Sequence, residues 1–160
     1  MTDVHDDGRL AVLEDRIDMW LDRLRATNPA IAAVDRGGPE VPERRWYVRL
    51  HGEDKEFTTV WLTLGQRTLR YETYVMPAPE ENAAELYEYL LRRNEALVGA
   101  HFSVGAEDAV FLRGELPIAM LSEPELDRVV GTLYAAVERH FRAALRIGFA
   151  SRFAGEGASS

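Results

Sequence analysis

No cysteine occurs among the 160 residues. Disulfides, thiolate nucleophiles and cysteine-based zinc sites are therefore excluded. Lysine is nearly missing as well: Lys55 stands alone against eighteen arginines. A GC-rich genome accounts for that bias; selection of arginine for stacking or bidentate contacts is the other reading. No run of eighteen apolar residues exists, so no membrane span is expected. The opening stretch, Met1 to Arg9, is acidic and lacks an apolar core, so no targeting signal is expected and the cytoplasm is the simplest location. The net charge of −8 argues against a general nucleic-acid binder, which needs clustered cations for phosphates.

Catalytic signatures are missing too. There is no Gly-x-Ser-x-Gly elbow, Walker loop, Gly-x-Gly-x-x-Gly or His-Glu-x-x-His. The four histidines (His5, His51, His101 and His140) fall on separate segments, none paired at metal-ligand spacing. The acidic start, with Asp3, His5, Asp6 and Asp7, reads as solvated. The carboxylate pairs Glu53-Asp54 and Glu107-Asp108 fall in expected turns, where acids serve turn geometry more readily than acid–base chemistry. The expectation is a non-enzymatic protein with no cofactor and no metal.

What is present is a globular pattern. At 46% hydrophobic and 29% charged residues, the chain resembles an ordinary soluble domain. A chain this long buries roughly 70% of its unfolded surface on folding, so it needs no staples. One domain is expected over residues 1–154, with 1–8 a flexible tail and 155–160 a disordered one.

Leu10, Leu13, Ile17, Trp20, Leu21 and Leu24 recur at helical spacing and predict an amphipathic helix ending before Asn28-Pro29. Residues 30–43, with Gly37-Gly38-Pro39 and Pro42, read as a loop with at most a short apolar turn at Ile31 to Val34. Three strands follow: one alternating Trp46, Val48 and Leu50 against Tyr47, Arg49 and His51, then Phe57 to Leu64 and Thr68 to Val75. Short links between them predict an antiparallel meander with one covered and one wetter face. After Met76-Pro77-Ala78-Pro79 a second helix is expected, with Glu80 and Glu81 at its positive end and Gly99 as its C′ residue. His101 to Val104 and Ala109 to Leu116 predict a hairpin. Ser122 with Glu125 forms a capping box, and Leu121 with Leu126 a hydrophobic staple. The helix they open spans about 26 residues, or about 40 Å. The order is α-β-β-β-α-β-β-α, an α+β fold with helices against an antiparallel sheet.

Two features remain as candidates for recognition. Trp46, Phe57, Trp61, Tyr71 and Tyr74 all fall on the first three strands, and aromatics serve either a core or an interface. Arg139, Arg142 and Arg146 make the end of the last helix basic, which complements its dipole or docks an acidic segment. The candidate partner surface is therefore Trp46, Trp61, Tyr71, Tyr74, Arg139, Arg142 and Arg146.

The segments RRNEALVGAHFSV (92–104) and AEDAVFLRGELPIAMLSEPELDRVVGTLY (106–134) resemble the YbjN-domain family of bacteria, in its actinobacterial branch. The residues that carry the likeness are Asn94 closing the middle helix, Phe102 on the next strand, and Leu126-Asp127-Arg128 entering the last helix. The resemblance implies a fold like the type III secretion chaperones, a curved antiparallel sheet packed by helices. Such chaperones are homodimers that bind extended client segments, and the family is described as sensory-transduction or stress regulators. It carries over no catalytic residues, and likeness of fold alone does not establish an activity. The leading expectation is a protein-binding adapter or chaperone-like regulator that forms a homodimer, with the last and first helices as candidates for its interface, and binds a protein or peptide partner at a groove or sheet edge. The alternative is a small-molecule sensory module, with Arg49, Arg70, Tyr74 and Arg113 lining a closed pocket.

Overall fold

The computed structural model describes residues 4–154. Helix α1 (Asp7–Thr27) leads into strands β1 (Ile31–Arg36), β2 (Arg44–His51), β3 (Phe57–Leu64) and β4 (Thr68–Met76). Helix α2 (Ala83–Asn94), strands β5 (His101–Val104) and β6 (Val110–Pro117), helix α3 (Glu123–Gly148) and the short α4 (Ala150–Phe153) follow among the described residues. The six strands form one antiparallel sheet in the order β1-β2-β3-β4-β6-β5. The α+β class and the sheet packed by helices are as the sequence predicts.

Alternation builds the sheet. On one face lie Trp46, Val48 and Leu50 of β2, Val60, Leu62 and Leu64 of β3, and Leu69, Tyr71, Thr73 and Val75 of β4, all nearly inaccessible. Leu112 and Leu116 of β6 and Phe102 of β5 extend that face. The helices cover it. From α1 come Leu10, Ile17 and Leu21; from α2, Leu86 and Leu90; from α3, Leu126, Val130, Leu133 and Val137, all in one continuous core.

The structure corrects the reading in four places. First, residues 31–36 are a strand, not a loop. They pair with β2, and the register slips between Ile31 and Ala33. Only Ile31 is buried, so two small alanines and a bulge leave almost no alternation to read. Second, α1 starts at Asp7, inside the stretch read as a tail, because the Asp6 carboxylate accepts a hydrogen bond from Arg9 N–H at 2.9 Å. The tail expected at 155–160 lies outside the described residues. Third, Glu80 and Glu81 precede α2 instead of opening it. Their N–H groups donate to the Gly148 carbonyl at 2.9 and 3.1 Å, which caps α3. The Glu80 carboxylate pairs with Arg152, and Glu81 accepts from the Ser151 hydroxyl at 2.9 Å. Fourth, α2 ends at Asn94, so Gly99 is not its C′ residue. Gly99 adopts φ +77° in the following loop, where its carbonyl accepts from the Tyr71 hydroxyl at 2.5 Å.

Helix α3 follows its sequence signals closely. Ser122 Oγ accepts from Glu125 N–H at 3.3 Å, Pro124 sits in the first turn, and the helix runs 26 residues. No described helix is long and apolar enough to cross a membrane.

Candidate functional site

The opposite face of the sheet is where the helices do not pack. Strand register lays its side chains in rows. One row runs Asp35, Tyr47, Trp61, Glu72, Arg113, His101 across all six strands. A second runs Arg45, Thr63, Arg70, Glu115. A third contains Arg49 opposite Thr59, and Tyr74 opposite Phe111 opposite Ser103. Cross-strand neighbours on one face interact directly, so these rows define a surface.

That surface is built of rings with cations on them. The Tyr47 and Trp61 rings meet edge to face at 6.0 Å, as do Tyr74 and Phe111 at 5.7 Å. The Arg45 guanidinium lies 5.7 Å from the Trp61 ring centre, Arg49 4.5 Å from Phe57, and Arg113 4.4 Å from Phe111. Arg113 also donates to Glu72 at 2.8 Å, and Arg45 to the Thr63 hydroxyl at 3.0 Å. Among the described residues, Arg49 and Arg70 have no ion-pair partner. The rows carry four arginines against three carboxylates, whereas the chain as a whole is acidic. A guanidinium stacked on a ring keeps its N–H edge free for a carboxylate. Tyr74 is 40% exposed.

Lys55 closes one end of this face. Its Nζ donates to the Tyr74 carbonyl at 2.6 Å and lies 5.3 Å from the Tyr74 ring and 5.7 Å from Phe141. Burial lowers its pKa from 10.5 to about 8.

The structure divides the sequence-predicted surface. Trp61 and Tyr74 sit together on the open face. Trp46 and Tyr71 do not: they are 1% and 3% exposed and belong to the core. Trp46 is in phase with Val48 and Leu50; its ring N–H donates to Asp18 of α1 at 2.7 Å, and Arg36 stacks on it at 4.6 Å. Tyr71 is in phase with Leu69 and Val75, and its hydroxyl is spent on Gly99. The α3 arginines also part. Arg142 reaches Asp54 in the β2–β3 turn at 3.3 Å, Arg146 lies near Phe153, and Arg139 lines a groove beside α2. The sequence reading did not single out Tyr47, Arg45 or the largely covered Phe111 of this face; strand phase marks the two on β2, since each alternates with a buried position.

The closed pocket expected around Arg49, Arg70, Tyr74 and Arg113 is not formed. All four lie on the open face, and only Arg70 and Arg113 line a depression there, about 420 Å³ and open to solvent, beside Glu72, His101 and Glu115. Glu107 and Asp108 take φ of +57° and +56° in the β5–β6 turn, and Glu138 accepts the N–H groups of Glu53 and Asp54 at 2.9 and 3.2 Å. Both acid pairs shape turns. No group of three or more acidic or histidine side chains suited to a metal ion occurs among the described residues.

Comparison with known proteins agrees with this architecture. Residues 13–146 match the profile of the YbjN family, described as "Putative bacterial sensory transduction regulator". Uncharacterised proteins of Mycobacterium tuberculosis and Mycobacterium bovis are 34% identical over 104 residues, 65% of this chain and 57% of theirs. One from Mycobacterium leprae is 33% identical over 107 residues, 67% of this chain and 58% of its own length. The match thus spans little more than half of those relatives. A chain in the structure of the heterodimeric complex ExoU-SpcU, from the type III secretion system of Pseudomonas aeruginosa, superposes with a TM-score of 0.54 at 14% identity, over 77% of this chain and 93% of that one. At that identity the likeness concerns the fold. With its profile matched over residues 13–146, from within α1 to the last turn of α3, the chain belongs to the YbjN family.

Proposed function

We propose that this protein is a non-enzymatic regulator that acts by binding a partner protein, and that the open face of its sheet receives an extended, acidic segment of that partner. One observation carries the reading: a sheet face free of helices where Arg45, Arg49 and Arg113 lie over the rings of Trp61, Phe57 and Phe111, and where Arg49 and the neighbouring Arg70 have no carboxylate partner among the described residues. Aromatic and arginine side chains are the types that dominate binding hot spots. A cationic, ring-lined strip on a chain of net charge −8 favours an acidic segment by charge complementarity. The family description and the fold shared with a chain of a secretion complex support a regulatory, protein-binding role over catalysis. Homodimerisation belongs to the same proposal and is checked by the mass in solution.

The test places a photo-crosslinking amino acid at Trp61, at Tyr74 and, as a control, at Leu91 on α2, which is 68% exposed. In the native host, positions 61 and 74 are expected to trap a protein of one defined mass that Leu91 does not trap. Arg49→Glu is expected to abolish that adduct. Equal trapping at all three positions, or none at 61 and 74, refutes the reading.

A further inference from the structure

A second cationic place lies away from the open face. Where α2 ends, Arg92 and Arg93 stand across a groove of about 480 Å³ from Arg128, Arg139 and His140 of α3. That volume suits a small molecule. The loop after α2 supplies an apolar wall, with Leu97 half-buried and Val98 78% exposed.

The charges there are only partly satisfied. Arg128 is held by Glu125 through two donors at 2.9 and 3.1 Å, and Arg92 by Glu88 at 3.2 Å on the helix surface. Arg93 lies over the Tyr89 ring at 4.7 Å without a carboxylate partner, and Arg139 makes no hydrogen bond or ion pair among the described residues. His140 is engaged at Nδ1 with the Tyr89 hydroxyl at 3.1 Å. Burial, and then the neighbouring Arg139 and Arg93, push its pKa down, so it adds no charge at neutral pH. Two guanidinium groups therefore face one groove with no anion between them. Planar guanidinium groups match carboxylate and phosphate geometry.

We propose that this groove binds a small organic anion, a carboxylate or phosphate ester carrying an apolar body, with Arg93 and Arg139 on the anion and Leu97 and Val98 along the body. The site is independent of the open face, so it stands or falls separately from the partner-binding proposal.

Calorimetric titration of the whole chain with octanoate, octyl phosphate, 1-octanol and inorganic phosphate tests it. One of the two octyl anions is expected to bind at one per chain. Octanol and inorganic phosphate, each lacking one half of the recognition, are expected to bind at least about tenfold more weakly. The Arg93→Gln/Arg139→Gln variant, altered only at exposed side chains, is expected to fold normally by circular dichroism and lose the anion preference. Arg49→Gln, on the open face, is expected to leave it intact. Equal binding of octanol and octanoate, unchanged affinity in the double variant, or no binding of either octyl anion overturns the proposal.

Discussion

Gly114→Ala is a demanding test of the packing, because two arguments give it opposite signs. Gly114 lies inside β6, where alanine is ordinarily better by roughly 0.5–1 kcal/mol on backbone entropy. Its Cβ, however, would fall 2.2 Å from the Gly99 carbonyl oxygen and 2.4 Å from the Tyr71 ring. Tyr71 is directly opposite on β4 and donates to that same carbonyl. A methyl group here forces apart the loop and the ring that meet across the glycine. Overpacking of this kind costs about 1–3 kcal/mol, and displacing the hydrogen bond adds about 1 kcal/mol. Set against the backbone gain, the net expectation is a loss of about 1–3.5 kcal/mol. Urea unfolding followed by tryptophan fluorescence measures it, since Trp46 is buried. An unchanged m-value would locate the effect in the folded state. Tyr71→Phe should cost about 1 kcal/mol alone and leave most of the Gly114→Ala cost, because the ring remains. Tyr71→Leu in the Gly114→Ala background should recover part of it, but not all, because the backbone contact stays. A neutral or stabilising Gly114→Ala would refute the reasoning.

Competitive acetylation with mass-spectrometric readout should place the Lys55 titration near pH 8, well below its ordinary value. Between that pH and about 10.4 the unfolded chain holds the extra proton, so stability should rise with pH through this window, and Lys55→Met should flatten the rise. A Lys55 midpoint near 10.4 would contradict the buried placement. Asn94 at the end of α2 accepts from Phe102 N–H at 2.6 Å and donates to the Phe102 carbonyl at 3.2 Å, pairing with the edge strand as a neighbouring strand would. Asn94→Ala should cost about 1–3 kcal/mol and speed exchange of the Phe102 amide; Asn94→Asp, which sets an acceptor against the carbonyl, should cost at least as much. Unchanged exchange at Phe102 would sink that account.

Legibility followed the strength of local signals. β2 and β4 alternate, β3, β5 and β6 are apolar or β-branched runs set off by turn residues, and α3 carries a capping box, so these elements could be placed from residue order alone. β1 could not, because Ala32, Ala33 and the register slip beside them blur its period. The candidate site was half legible. Strand phase already puts Trp46 with Val48, and Tyr74 with Arg70 and Glu72, so the inward and outward rings are separable from residue order. What phase cannot give is which arginine lies over which ring, because Arg45 reaches Trp61 across strands. The groove at Arg93 and Arg139 was beyond reach, since it exists only through the packing of α2 on α3.

The strand order has a consequence for how the chain emerges from the ribosome. β1 to β4 pair each with its successor, and β5 with β6, so nearly all the sheet can close through local turns. The β4–β6 seam alone joins strands separated by a helix and another strand, and it bears the largest loop-closure cost. Helix α3 packs across β3, β4 and β6, spanning that seam, and is translated after all six strands. Until it arrives, the growing chain holds a folded meander whose greasy side, including Leu62 and Leu69, is still open to solvent. Nascent chains stalled before residue 123 are thus the species most exposed to aggregation, and completion of α3 is the event that retires the hazard.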